Sequence, residues 1–187
     1  MKKNLNSLLA AFAIAILATF MYSCAGDKCK DVNCGVHGTC LEGTCNCDAG
    51  YEGTQCQTVS RDKTLGNWTV KASCAIDSCG TIVPANADNC PQNYTVSISS
   101  ATDIQKFKVK NFGNYGQTTE VAGTLSPDNS IVLDSTSIGT TVITKVKGNG
   151  TYFPATGTIV LRYTSKTTLP TNPPCNIIVT ETDTLRK

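Results

Sequence analysis

The chain has 187 residues and carries 16 Lys and Arg against 14 Asp and Glu, a formal charge of +2, with 11 cysteines, a single histidine and only 6% aromatic residues. So even a balance, with few aromatics to interleave with bases, excludes nucleic acid and an acidic membrane surface as partners on charge grounds. The lone His37 gives no basis for a Ser/His/Asp set or a paired-histidine metal motif.

The chain opens with a basic Met1-Lys2-Lys3, followed from Leu8 to Met21 by an almost wholly apolar run. That run is shorter than the roughly twenty residues a membrane span needs, and it has the length of a signal-peptide core. Losing it removes Lys2 and Lys3 and leaves bases and acids equal in number. The run ends in Met21-Tyr22-Ser23-Cys24, which resembles a bacterial lipoprotein signal, of the style of the Bacteroidota. The resemblance implies cleavage after residue 23 and acylation of Cys24. It further implies an outer-membrane protein, lipid-anchored on the periplasmic or cell-surface face. Parity agrees: setting Cys24 aside from an odd total leaves ten cysteines, six in one cluster and four beyond it. Ordinary secretion, with Cys24 unpaired or in an intermolecular bridge, is the alternative. Asp134-Ser135-Thr136 and Asp183-Thr184-Leu185 resemble the O-glycosylation triplet of that phylum.

The six clustered cysteines run Cys29-x4-Cys34-x5-Cys40-x4-Cys45-x-Cys47-x8-Cys56. A segment of about thirty residues buries too little apolar surface to fold unaided, so this spacing reads as a disulfide framework in an oxidising compartment. Six cysteines allow fifteen connectivities, and spacing does not choose among them. Gly43, in Leu41-Glu42-Gly43-Thr44, has the character of a tight hairpin turn. The pattern resembles an EGF-like module of the tenascin type, over residues 29–56. That resemblance implies the pairs Cys29–Cys40, Cys34–Cys45 and Cys47–Cys56. A zinc site is disfavoured, because closed tetrahedral sites use closer Cys pairs. Calcium is disfavoured too, because Asp27 alone cannot supply six to eight oxygens. No cofactor or metal is expected.

After a linker at 57–64, Thr, Val, Ile, Ser and Gly dominate. Period-two alternation recurs through Trp68, Val70 and Ala72; Tyr94, Val96 and Ile98; Phe107 and Val109; and Val121, Gly123 and Leu125. It continues through Ile131 and Leu133; Val142, Thr144 and Val146; Ile159, Leu161 and Tyr163; and Ile177 and Val179. Turn signals at Asn111–Asn114, Ser126–Asn129, Gly148–Gly150 and Pro170–Pro174 separate the runs. Eight short strands argue a mostly β chain whose antiparallel meander closes into a barrel or folds into a sandwich. The opening Leu65-Gly66-Asn67-Trp68-Thr69-Val70 resembles the lipocalin and calycin barrels, which implies an eight-stranded barrel over 65–187 with Trp68 plugging one end. The domain plan is therefore a signal peptide (1–23), a lipidated linker (24–28), the EGF-like module (29–56), a linker (57–64) and the barrel (65–187).

Four cysteines remain, with three possible pairings. If Cys74 ends the first barrel strand and Cys175 begins the last, they meet at one barrel end. The expected pairs are then Cys74–Cys175 and Cys79–Cys90; Cys90–Cys175 with Cys74–Cys79 is the alternative. No catalytic constellation is legible: Asp77, Asp88, Asp103 and Glu120 are scattered, and His37 lies in a Gly-rich turn. Two functions follow. One is a non-enzymatic surface-binding lipoprotein whose first barrel loop, Ala75–Asn89, meets a protein or glycan. The other is a carrier holding a small lipophilic ligand in a barrel lined by Val96, Phe107, Val109 and Leu161.

Overall fold

The computed structural model describes residues 27–83, 93–138, 143–171 and 175–187. Cys24, Cys90, Val142 and most of the loop from 84 onward lie outside these residues. The chain divides into two compact units, residues up to 47 with 54–56, and residues 48–53 with 57–187.

In the first unit, a 3-10 turn at Gly35–His37 leads into a hairpin of β1 (Gly38–Leu41) and β2 (Thr44–Cys47). Cys40 lies opposite Cys45. Glu42 and Gly43 both take positive φ, 52° and 87°, the two-residue turn whose twist matches that of the strands. Three disulfides brace the unit: Cys29–Cys40, Cys34–Cys45 and Cys47–Cys56. Cys34 and Cys56 are its buried apolar groups, so sulfur takes the place of a hydrocarbon core. Gly38 is dictated by that core, since a Cβ there would lie 2.4 Å from Cys56 Sγ. Asp27 is occupied in a local turn, its Oδ1 accepting the Cys29 N–H.

The second unit starts with β3 (Tyr51–Glu52) paired to β4 (Thr58–Val59), then a 3-10 turn at Ser60–Thr64. Residues 57–64, expected as a linker, are thus folded into this unit. Ser60 and Thr64 are buried, and Arg61 Nη1 donates to the carbonyls of Ala101, Asp103 and Lys106. A guanidinium fork can tie down several carbonyls of one loop at once, which a linker read from composition does not reveal.

The remaining strands are β5 (Gly66–Ser78), β6 (Thr81–Val83), β7 (Asn93–Ser100), β8 (Lys106–Lys110), β9 (Glu120–Leu125), β10 (Ser130–Ile138), β11 (Thr144–Phe153), β12 (Thr158–Leu169) and β13 (Cys175–Arg186). β5 and β7–β13 pair in sequence, and β13 returns to β5, from Ile177 opposite Ser78 to Arg186 opposite Thr69. The result is a closed eight-stranded antiparallel barrel with no open edge in the ring. β6 folds back on the end of β5 outside that ring. Alternation explains the strands: Trp68, Val70, Tyr94, Val96, Phe107, Val109, Val121 and Leu125 all turn inward and are buried. Trp68 closes one end, its indole N–H donating to Thr64 O at 2.8 Å.

Two expectations are corrected. Gly148-Asn149-Gly150 is no turn; it lies within β11, and β11 ends instead before Pro154. The cysteine pairing also differs. β5 does not stop at Cys74 but continues to Ser78, so Cys74 sits mid-strand opposite Glu181. The same register brings Cys175 level with the residues after Ser78, and the bridge is Cys79–Cys175, Cα–Cα 5.2 Å. Neither Cys74–Cys175 nor Cys79–Cys90 nor Cys90–Cys175 is compatible with it. Cys74 is disulfide-bonded as well.

Candidate functional site

The four residues expected to line a ligand cavity come together as expected, but among the described residues they are packed into one core rather than set around a space. Val96, Phe107, Val109 and Leu161 are each at most 4% exposed and belong to one continuous core with Trp68, Leu133 and Ile159. Inward glycines leave room, and the neighbouring strand fills it. A Cβ at Gly123 would come 2.7 Å from Phe107 Cζ, one at Gly150 2.6 Å from Leu161 Cδ2, and one at Gly148 2.4 Å from Tyr163 Cβ. Each missing side chain is replaced by a large one beside it, as close packing requires. Among the described residues, the hollows found lie on the outer wall or at the Trp68 end.

Further along the barrel the interior is polar. β13 alternates through Glu181, Thr182, Asp183, Thr184 and Leu185, and its inward phase buries Glu181 (4% exposed) and Asp183 (2%). Tyr163 of β12 donates to Glu181 Oε2, and its hydroxyl lies 3.0 Å from Asp183 Oδ2. Tyr94 of β7 donates to the same Oδ2, 3.5 Å from the Tyr163 hydroxyl. The loop after β8 covers this group. Asn111, in the left-handed conformation, ties itself to Thr95 O and Gly116 N, which sets Phe112 against Tyr163 with ring centroids 4.4 Å apart. Tyr115, in the same loop, donates to Ser165 Oγ at 3.0 Å.

Burial governs the electrostatics. It pushes the Glu181 carboxyl up to about 7 against the relief given by the Tyr163 hydrogen bond, with the Asp183 charge adding to the rise. Burial raises Asp183 too, opposed by its two tyrosine donors. Burial and the neighbouring carboxylates hold the Tyr94 and Tyr163 phenols far above their ordinary value, so both stay protonated as donors. Among the described residues, Asp183 Oδ1 is buried without a partner. The arrangement can share and hold protons. Enclosed by packed side chains, it presents no described path for a substrate.

Sequence reasoning missed this cluster, although the signal was present. Continuing the inward phase of Ile177 and Val179 by two steps places Glu181 and Asp183 inside. Asp183-Thr184-Leu185 resembles a modification triplet instead. Its Asp and Leu are buried, and Thr184 alone turns outward, in a strand paired on both sides.

A family model described as a Teneurin-like EGF domain matches residues 29–58. The first unit is thus an EGF-like module with three disulfides. No curated protein and no solved structure matches the chain.

Proposed function

We propose that this is a non-enzymatic, extracytoplasmic binding protein. Lipid on Cys24 anchors it to the outer membrane, the EGF-like module serves as a disulfide-braced spacer, and the barrel recognises a partner on its outer surface. The observation that carries the reading is the filled barrel: Phe107, Leu161 and Tyr163 occupy the volumes opposite Gly123, Gly150 and Gly148. A core closed in this way leaves recognition to the exterior, and the carrier function of Val96, Phe107, Val109 and Leu161 loses its cavity. The ten cysteines beyond Cys24 support an oxidising compartment, and those among the described residues are all disulfide-bonded.

The test is twofold. In a host that processes lipoproteins, the full chain should partition with membranes, and Cys24→Ser should move it to the soluble fraction. The soluble Cys24→Ser protein should show no saturable binding of fluorescent fatty acids, sterols or retinoids. Stoichiometric uptake of any of these would restore the carrier reading.

A further inference from the structure

The burial of Glu181 and Asp183 removes two acids from the surface of a chain whose charges otherwise nearly balance, and the deficit is concentrated on one wall. The outward positions of β5, β11, β12 and β13 carry Lys71, Lys145, Lys147, Arg162, Lys166 and Arg186. The one outward acid on these described strands is Asp77, engaged in a turn with the Gly80 N–H. None of the six bases makes an ion pair among the described residues. Lys108 and Lys110 of β8, by contrast, both reach Glu120 of β9, and Lys106 reaches Asp134 of β10, the acid that borders the trough strand β11 and is neutralised there by its own ion pair.

Four of the bases are immediate neighbours. Lys145 stands directly across from Lys166, and Lys147 lies diagonally between Lys166 and Arg162, since its own partner is Thr164 and Arg162 faces Asn149. Like charges opposite one another weaken a ladder, so folding gives no reason for Lys145 and Lys166 to coincide. An anion bridging them does. The same wall is grooved. One hollow of about 370 Å³ runs between Val132, Phe153, Val160 and Arg162 over the short Asn149 and Thr151. A second shares Asn149 and Arg162 and continues to Lys147, Ser135, Thr164 and Thr180. From Phe153 to Lys147 the trough is about 20 Å long at the usual strand rise, the reach of a short oligosaccharide.

We propose that this trough binds an acidic polysaccharide, with Lys145, Lys147, Arg162 and Lys166 meeting its carboxylate or sulfate groups. The side chains of Asn149, Thr151 and Thr164 bond its hydroxyls, and Phe153 stacks on a sugar ring. Nucleic acid fits less well, because base stacking needs successive aromatic platforms and the trough offers Phe153 alone. The proposal rests on the binding-protein reading and names its partner class.

The soluble full chain carrying Cys24→Ser would be titrated calorimetrically with polygalacturonate, alginate, heparin and dextran near physiological salt, and with duplex DNA and anionic phosphatidylglycerol vesicles. The account expects saturable binding of at least one acidic polysaccharide and none of dextran. Lys147→Ala with Arg162→Ala should weaken that binding at least tenfold at an unchanged melting temperature. Lys108→Ala with Lys110→Ala, on the ion-paired β8, should leave it within twofold. Lys166→Thr should weaken binding and raise the melting temperature, which a merely structural lysine would not do. Equal losses from both double variants, binding of DNA or vesicles as tight as that of the polysaccharide, or no acidic polysaccharide bound would each overturn the proposal. A lipophilic ligand found inside the barrel would instead overturn the binding-protein reading and leave the trough result standing.

Discussion

Glu181 keeps its proton in the folded barrel up to about pH 7, whereas its ordinary value is 4.5. Between those two values the folded state holds more protons than the unfolded chain, so stability falls as pH rises, and above about pH 7 the full penalty is present. The raised Asp183 acts in the same direction. Burial sets the effect, eased by the Tyr163 hydroxyl and enlarged by the Asp183 charge. We expect the protein to be more stable at pH 5 than at pH 8, by on the order of 1–3 kcal/mol. Glu181→Gln should flatten that slope and gain most at pH 8; chemical denaturation at the two pH values checks both. A slope unchanged in the variant would place the titration elsewhere. Tyr163→Phe removes the donor shared by both carboxyls. It should cost about 1–3 kcal/mol and cost more at pH 8, where the carboxylates it would strand are charged.

At the scale of elements, the strands and the inward faces were legible because period-two alternation is a property of neighbouring residues alone. Trp68, Val70, Phe107, Val109 and Leu161 could be assigned to the interior from spacing, and all are buried. What escaped were features that depend on a neighbouring strand. Gly148 and Gly150 looked like a turn because glycine breaks strands, but their reason lies across the ladder, in Tyr163 and Leu161. Cys74 looked like a strand end because the apolar alternation fades there, and only the register with β13 shows that Cys79 meets Cys175. That bridge spans 96 residues, closes the seam between the first and last barrel strands, and restricts the unfolded chain by roughly 4–5 kcal/mol in the chain-entropy model. Cys79→Ser with Cys175→Ser should therefore lower stability by about 2–5 kcal/mol without changing the far-ultraviolet circular dichroism of the folded state. Phe107→Ala should cost about 3–5 kcal/mol by opening the space beside Gly123. Protection of that variant, but not of the wild type, by small apolar molecules such as benzene would show the filling directly.

At the scale of the whole molecule, net charge was a poor guide to the surface. A balanced total argued against nucleic acid and an acidic membrane surface, yet two acids lie inside the barrel, Lys106, Lys108 and Lys110 are neutralised by ion pairs, and six other bases stand without an ion pair among the described residues on β5 and β11–β13. That distribution depends on which way each residue of β13 and β8 faces, so composition could not show it. The EGF-like module was readable because its cysteine spacing is a local pattern that resembles a known family, whose model matches 29–58, and that resemblance, not the spacing, implied the pairing. The barrel, whose identity resides in long-range pairing, offers no comparable local signature, and no curated protein or solved structure matches it.

The central claim is that the barrel is filled by its own side chains and recognises its partner from outside. Non-denaturing mass spectrometry of the soluble full chain, purified without detergent from an oxidising host, tests it most directly. The account predicts the bare mass of the oxidised protein. An excess of a few hundred daltons that is retained natively and lost on denaturation would contradict it and make the chain a carrier.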